Sequence, residues 1–141
     1  MVKRPSSPHG YSGKPLATKL GLVPEKTAAI ILAPEHYAEL TDNAEVTHFR
    51  SVATIVGEWD FLHLFCRTEA FLTEGLPPLL KHLSQGGMIW ISWPKKSSKL
   101  WQDLTEGGIR SVALPLGIVD VKVCAVDADW SGLKFMRRRA R

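Results

Sequence analysis

Thr27-Ala28-Ala29-Ile30-Ile31-Leu32-Ala33 carries no polar residue after its threonine. A strand with one wet face alternates apolar and polar positions. A continuous apolar run of this length therefore suits a strand covered on both faces, as in a parallel sheet. Pro34 follows, and the spacing predicts a helix over residues 34–40, with proline in its first turn and Glu35 near the positive end of its dipole. Upstream, residues 15–22 read as a short helix, opened by Pro15 and stopped by Gly21.

The same reading extends downstream. Residues 46–55 are expected to form a second strand, and 59–66 a third, with Phe61, Leu62, Leu64, Phe65 and Cys66 buried. Leu72, Leu76, Leu79, Leu80 and Leu83 fall on one helical face, predicting a helix over 68–83. Pro77 and Pro78 interrupt that pattern, because proline lacks the donor N–H and clashes with the preceding turn, so a kink or two abutting helices near Gly75 is expected. Gln85-Gly86-Gly87 reads as a turn before a fourth strand at 88–93. Thr105 can cap a short helix whose inner face is Ile109, Val112 and Ala113, ended by Pro115 and Gly117. Two last strands, 118–126 and 133–138, are joined by residues 127–132, a connection short enough for an antiparallel hairpin. The alternation of strands and helices predicts an α/β chain with a mostly parallel sheet, helices on both faces and a C-terminal antiparallel hairpin.

Composition narrows the class. With 45% apolar and 23% charged residues in 141, the chain is globular and long enough to bury a core without disulfides or metals. Residues 1–14, rich in Ser, Pro and Gly, are expected to form a flexible arm, and 15–141 a single domain. The apolar runs are too short to span a bilayer, and no secretory leader is expected, since residues 1–12 have no apolar segment behind their basic residues. Cys66 and Cys124 sit far apart in apolar runs. They read as buried free thiols suited to a reducing cytoplasm. The net charge of +4 equals the charge of Arg137, Arg138, Arg139 and Arg141, and removing them leaves 4 − 4 = 0. The excess reads as a solvated tail rather than a basic face, which argues against nucleic-acid binding.

Residues 59–138 resemble the second half of a class I S-adenosylmethionine-dependent methyltransferase fold, most of all at 79–93, with their helix, Gly-Gly turn and apolar strand, and in the strand–loop–strand ending. That resemblance implies a Rossmann-like sheet. Gly10-Tyr11-Ser12-Gly13, Ser92-Trp93-Pro94-Lys95-Lys96, the run from Asp120 to Asp127 and Trp130-Ser131-Gly132-Leu133-Lys134 are similar to those of a small bacterial family of uncharacterised proteins. This second resemblance implies no chemistry. The methyltransferase likeness breaks where a cofactor would sit. The turn after the first strand should be glycine-rich, so that backbone N–H groups approach the cofactor. Here it reads Ala33-Pro34-Glu35-His36-Tyr37, with no glycine. An acidic residue placed after the second strand to hold a ribose is not evident either, and no cofactor is expected.

In an open parallel sheet, ligands bind at the carboxyl ends of the strands. Three such ends carry the candidate ligand-binding residues: Glu35, His36 and Tyr37; Arg67; and Trp93, Lys95 and Lys96. An aromatic wall with cationic donors points to an anionic small molecule or an acidic protein surface. His36 is the candidate general base, although adjacent Glu35 cannot face it on a helix. His63, within a strand, is assigned a structural role. Asp120, Asp127 and Asp129 lack the spacing of a metal cluster. Trp130 is read as a hairpin anchor, with an exposed aromatic contact for a partner as the alternative. The expected function is a non-catalytic methyltransferase-like module, and the alternative is a divergent transferase with a non-standard cofactor site.

Overall fold

A computed structural model describes residues 15–139. The elements, in order, are α1 (Leu16–Leu20), β1 (Ala28–Ile31), α2 (Tyr37–Leu40), β2 (Thr47–Phe49), β3 (Trp59–Phe65), α3 (Glu69–Leu80), β4 (Leu83–Pro94), α4 (Glu106–Ala113), β5 (Ile118–Ala125) and β6 (Trp130–Arg137). They build one six-stranded sheet in the order β2-β1-β3-β4-β6-β5. β1 pairs in parallel with β2 and β3, and β3 with β4, while β6 runs antiparallel to both β4 and β5. The mixed α/β architecture is the one predicted, parallel in its first part and closed by an antiparallel pair.

The unbroken apolar run becomes β1 because it lies between two strands and under two layers. Ala29 and Ile31 join one buried cluster with Leu62, Leu64, Ile89, Ile91 and the inner faces of α3 and α4. Ala28 and Ile30 point the other way, toward Phe61, Phe65, Trp90, Tyr37 and Leu20 of α1. Leu72, Leu76 and Leu79 of α3 are fully buried, each contributing about 2 kcal/mol of apolar transfer. Thr68 caps α3 by accepting from Phe71 N–H (3.1 Å), and Thr105 caps α4 by accepting from Gly108 N–H (3.1 Å).

Several boundaries differ from expectation, each for a physical reason. α3 is one helix through Pro77 and Pro78, not a kinked pair. Both prolines lie on its exposed side, next to exposed Thr73 and Glu74, so water can satisfy the carbonyls they leave unpaired. β4 starts at Leu83, ahead of the expected Gly-Gly turn. Leu83 pairs with Trp59, and the register shifts before Met88 pairs with Phe61. Gly86, at φ +80°, absorbs that shift in a conformation costly for other residues. α2 begins only at Tyr37, leaving Pro34 in a turn where its carbonyl accepts from Tyr37 N–H (3.1 Å). The expected strand at 46–55 is β2, three residues long, followed by a 3-10 turn at Val52–Thr54. Ser131 and Gly132 belong to β6 rather than to the hairpin loop, and Trp130 opens that strand.

The arginine-rich end also differs. Arg137 closes β6, and its guanidinium donates to the carbonyls of Leu80 (2.9 Å) and Leu83 (2.8 Å). Arg138 N–H donates to Gly117 O (2.7 Å). The expected arm at 1–14, with Gly10-Tyr11-Ser12-Gly13, and Arg141 lie outside the described residues. β5 forms one border of the sheet, irregular between Asp120 and Lys122, with Val121 and Val123 exposed.

Candidate functional site

The carboxyl ends of β1 and β3 open into a crevice of about 440 Å³, closed on its far side by the β5–β6 hairpin and Leu100. Leu32, Ala33 and Pro34 line it from the β1 turn, Phe65 to Thr68 from the β3 end, and Phe71 from α3. Asp129 and Trp130 supply the hairpin wall. The walls are mostly apolar, and Arg67, His36, Thr68 and Asp129 are its polar groups. Apolar walls with a few convergent polar groups are the usual make-up of small-molecule sites.

His36 is held across this crevice. Its Nε2 donates to Asp127 Oδ2 (2.7 Å), and the other oxygen of that buried carboxylate accepts from the N–H groups of Asp129 and Trp130, both at 2.8 Å. The bond fixes the imidazole tautomer and leaves Nδ1 without a partner among the described residues. A histidine oriented by a carboxylate on an open wall can act as a hydrogen-bonding group or a base. Asp127 gives no sign of this pairing in the sequence, since 91 residues separate it from His36. The available signal is turn chemistry, an aspartate accepting from backbone two and three residues on.

The other expected residues are spread more widely. Arg67 lines the crevice and is exposed. Glu35 is exposed and outside the lining. Tyr37 is buried behind it, edge-on to His48, His63 and Phe65. Trp93 points to the opposite face, into the cluster with α3 and α4. Lys95 Nζ donates to Asp127 O (2.8 Å) and Lys95 N–H to Asp129 O (2.8 Å), so this residue braces the hairpin. The Lys96 ammonium lies 5.9 Å from the Trp101 ring centroid. Sequence reasoning missed Asp127, Asp129, Thr68, Phe71 and Leu100 as parts of this region.

Behind the crevice runs a fully buried polar chain. Tyr37 Oη lies 3.0 Å from His63 Nδ1, and His63 Nε2 lies 2.7 Å from Ser92 Oγ. A neutral imidazole offers one donor and one acceptor, so every atom of the chain is paired. Burial pushes the His63 imidazole down to about 3 and holds the Tyr37 phenol well above its usual range. Cys66 lines the crevice, but burial pushes its thiol up to about 12, far from the thiolate a nucleophile needs. Among the described residues no three His, Cys, Asp or Glu gather to hold a metal, and no helix is long and apolar enough to cross a membrane.

The turn after β1 has a distinctive backbone. Leu32 adopts φ +63°, a left-handed conformation that normally favours glycine, and the residue is 41% exposed at the crevice mouth. Pro34 two residues later has no N–H to offer. A glycine-turn cradle for S-adenosylmethionine does not fit these residues: a leucine side chain stands where bare backbone should approach, and a donor is missing.

The sequence matches no family model and no curated protein. Solved structures share the fold. Ribosomal protein L11 methylase from Lactobacillus delbrueckii subsp. bulgaricus is 14% identical, at TM-score 0.59 over 88% of this chain and 78% of that one. Magnesium protoporphyrin IX methyltransferase from Synechocystis PCC 6803 is 11% identical, at TM-score 0.59 over 86% and 74%. A methyltransferase from Pyrococcus furiosus is 16% identical, at TM-score 0.54 over 81% and 76%. The chain has a Rossmann-like fold of the class I S-adenosylmethionine-dependent methyltransferase type. Likeness at these identities concerns the fold, and function is argued from the site.

Proposed function

We propose that this chain is a non-catalytic methyltransferase-like module that holds a small ligand with an apolar body and an anionic group in the strand-end crevice. One observation carries the reading: a mostly apolar crevice of about 440 Å³ has Arg67 and Asp127-held His36 on its walls, while Leu32 and Pro34 occupy the cofactor turn. Arg67 offers a planar fork to a carboxylate or similar anion. Phe65, Phe71 and Trp130 offer faces and edges to a flat apolar body. Glu35, Tyr37, Trp93, Lys95 and Lys96 stand outside the lining, and Lys95 supports the site by bracing the hairpin. The buried free thiols Cys66 and Cys124 support a reducing, cytoplasmic setting.

Isothermal titration with a series of aromatic carboxylates, and with S-adenosylmethionine, tests the reading. At least one carboxylate should bind with Kd below about a millimolar, and Arg67→Ala should weaken it about tenfold. S-adenosylmethionine should bind no tighter than about millimolar. A micromolar isotherm for S-adenosylmethionine would overturn the proposal. It would favour the second reading, a divergent transferase, which the His36–Asp127 pair supports as an oriented base on the crevice wall.

A further inference from the structure

The strand-end crevice does not stop at β1. A second hollow of about 370 Å³ adjoins it on the β2 side, and the two share Leu32 and Ala33 as a common wall. His48, Phe49 and Arg50 complete the second hollow. The register of β1 sets the strand ends level. Ile31 pairs with Phe49 on one side and with Leu64 on the other, so Arg50 leaves the end of β2 and Arg67 the end of β3 with the β1 turn between them. Leu32 N–H donates to Phe49 O (3.0 Å), which ties that turn to β2. His48 is set edge-on to Tyr37, with ring centroids 5.9 Å apart.

Charge is unbalanced along this double hollow. Arg50 and Arg67 are both exposed, and neither guanidinium has a hydrogen bond or ion pair among the described residues. A guanidinium cannot shed its charge in a protein. No acidic residue lines the second hollow, and the one acid lining the first, Asp129, belongs to the hairpin wall at the other end from β2. The backbone of the turn has little to give an anion, since Leu32 N–H is taken by Phe49 and Pro34 has none. The donors left for a ligand are the two guanidinium forks, with the apolar surface of Leu32, Ala33 and Phe49 along the way.

Taking the crevice as the ligand site proposed above, we infer that its ligand is an elongated dicarboxylate with an apolar middle, and that Arg50 receives the second anionic end. Each fork matches the two oxygens of one carboxylate. β2 and β3 lie on either side of β1, two strand spacings or about 10 Å apart. A molecule with carboxylates at about that separation can lie across Leu32 and Ala33 and meet both arginines. A ligand with one carboxylate would leave Arg50 unused, and a compact diacid would be too short to reach it.

Isothermal titration of the full chain with matched pairs of acids tests this at fixed ionic strength. Biphenyl-4,4′-dicarboxylate, which spans the two arginines, should bind about tenfold tighter than biphenyl-4-carboxylate. Benzene-1,4-dicarboxylate, which is too short, should show no such gain over benzoate. Arg50→Gln, at an exposed position, should melt as the wild type does and should bring the long diacid down to the affinity of its monoacid. Arg67→Ala should weaken both biphenyl acids. A wild type that binds the two biphenyl acids equally would overturn the inference while leaving the crevice as a site for one carboxylate. A gain that persists in Arg50→Gln, or that the short diacid shares, would overturn it too, because attraction to the general positive charge would then explain it. Binding of neither biphenyl acid would remove the anion-binding reading of the crevice and this inference with it.

Discussion

Acid should destabilise this protein through one residue more than any other. His63 is completely buried, and its imidazole falls from an ordinary 6.5 to about 3. The groups packed on it are Tyr37, Ser92, Phe61, Phe65 and Trp90, none of which carries a negative charge to meet an imidazolium. The folded state therefore keeps His63 neutral where the unfolded chain already binds a proton. Stability from this group is complete above pH 6.5 and is lost as pH falls toward 3. Each pH unit in that window removes about 1.4 kcal/mol, so about 3 kcal/mol is gone by pH 4.5. Urea unfolding followed by tryptophan fluorescence at pH 7.0 and 4.5, on wild type and His63→Gln, isolates the effect. The variant should be about 1–3 kcal/mol less stable at pH 7, from the broken buried hydrogen bonds. It should also lose about 3 kcal/mol less than wild type on acidification. Parallel pH profiles in the two proteins would refute the reasoning and mean that the pocket accepts a proton.

Further perturbations separate packing from charge. Trp93→Ala should cost about 3–5 kcal/mol in urea denaturation, because the ring sits in the cluster beneath α3 and α4. Lys96→Ala should change stability by less than about 0.5 kcal/mol, and Lys95→Ala by about 1 kcal/mol through its bond to Asp127 O. Gly132→Ala should destabilise by about 1–3 kcal/mol, because a new Cβ would stand 3.0 Å from Trp90 Cε3 and 3.1 Å from Ser92 Oγ. A melting temperature at the wild-type value would show that the Trp90 ring can yield.

The fold was legible where a local pattern had one physical meaning. The run at β1, short, continuous and partly β-branched, reads as a strand with two covered faces, and the cap at Thr105 sits where α4 begins. Errors arose where tertiary pairing outweighed local preference. Gly86-Gly87 reads as a turn, yet Leu83 is held in the sheet by Trp59. Arg137 reads as solvated, yet two carbonyls at the end of α3 and the start of β4 capture it. The candidate site was legible only as a location. Strand ends are predictable from alternation, and His36 and Arg67 follow from that. Which way a side chain leaves its strand end is decided by neighbours distant in sequence. Trp93 shows this by turning to the other face, and His36 by finding Asp127.

The border strand β5 bears on how the protein behaves in a crowded solution. Val119-Asp120-Val121-Lys122-Val123 places two exposed valines on a strand whose outer edge is unpaired, an invitation to join another chain edge to edge. The irregular register at Asp120/Lys122 and the Lys122 charge oppose that. Lys122 thus acts as a gatekeeper. Lys122→Val would leave an uninterrupted β-branched run from Val121 to Val123, free to nucleate cross-β aggregation while the native contacts of the core stayed intact.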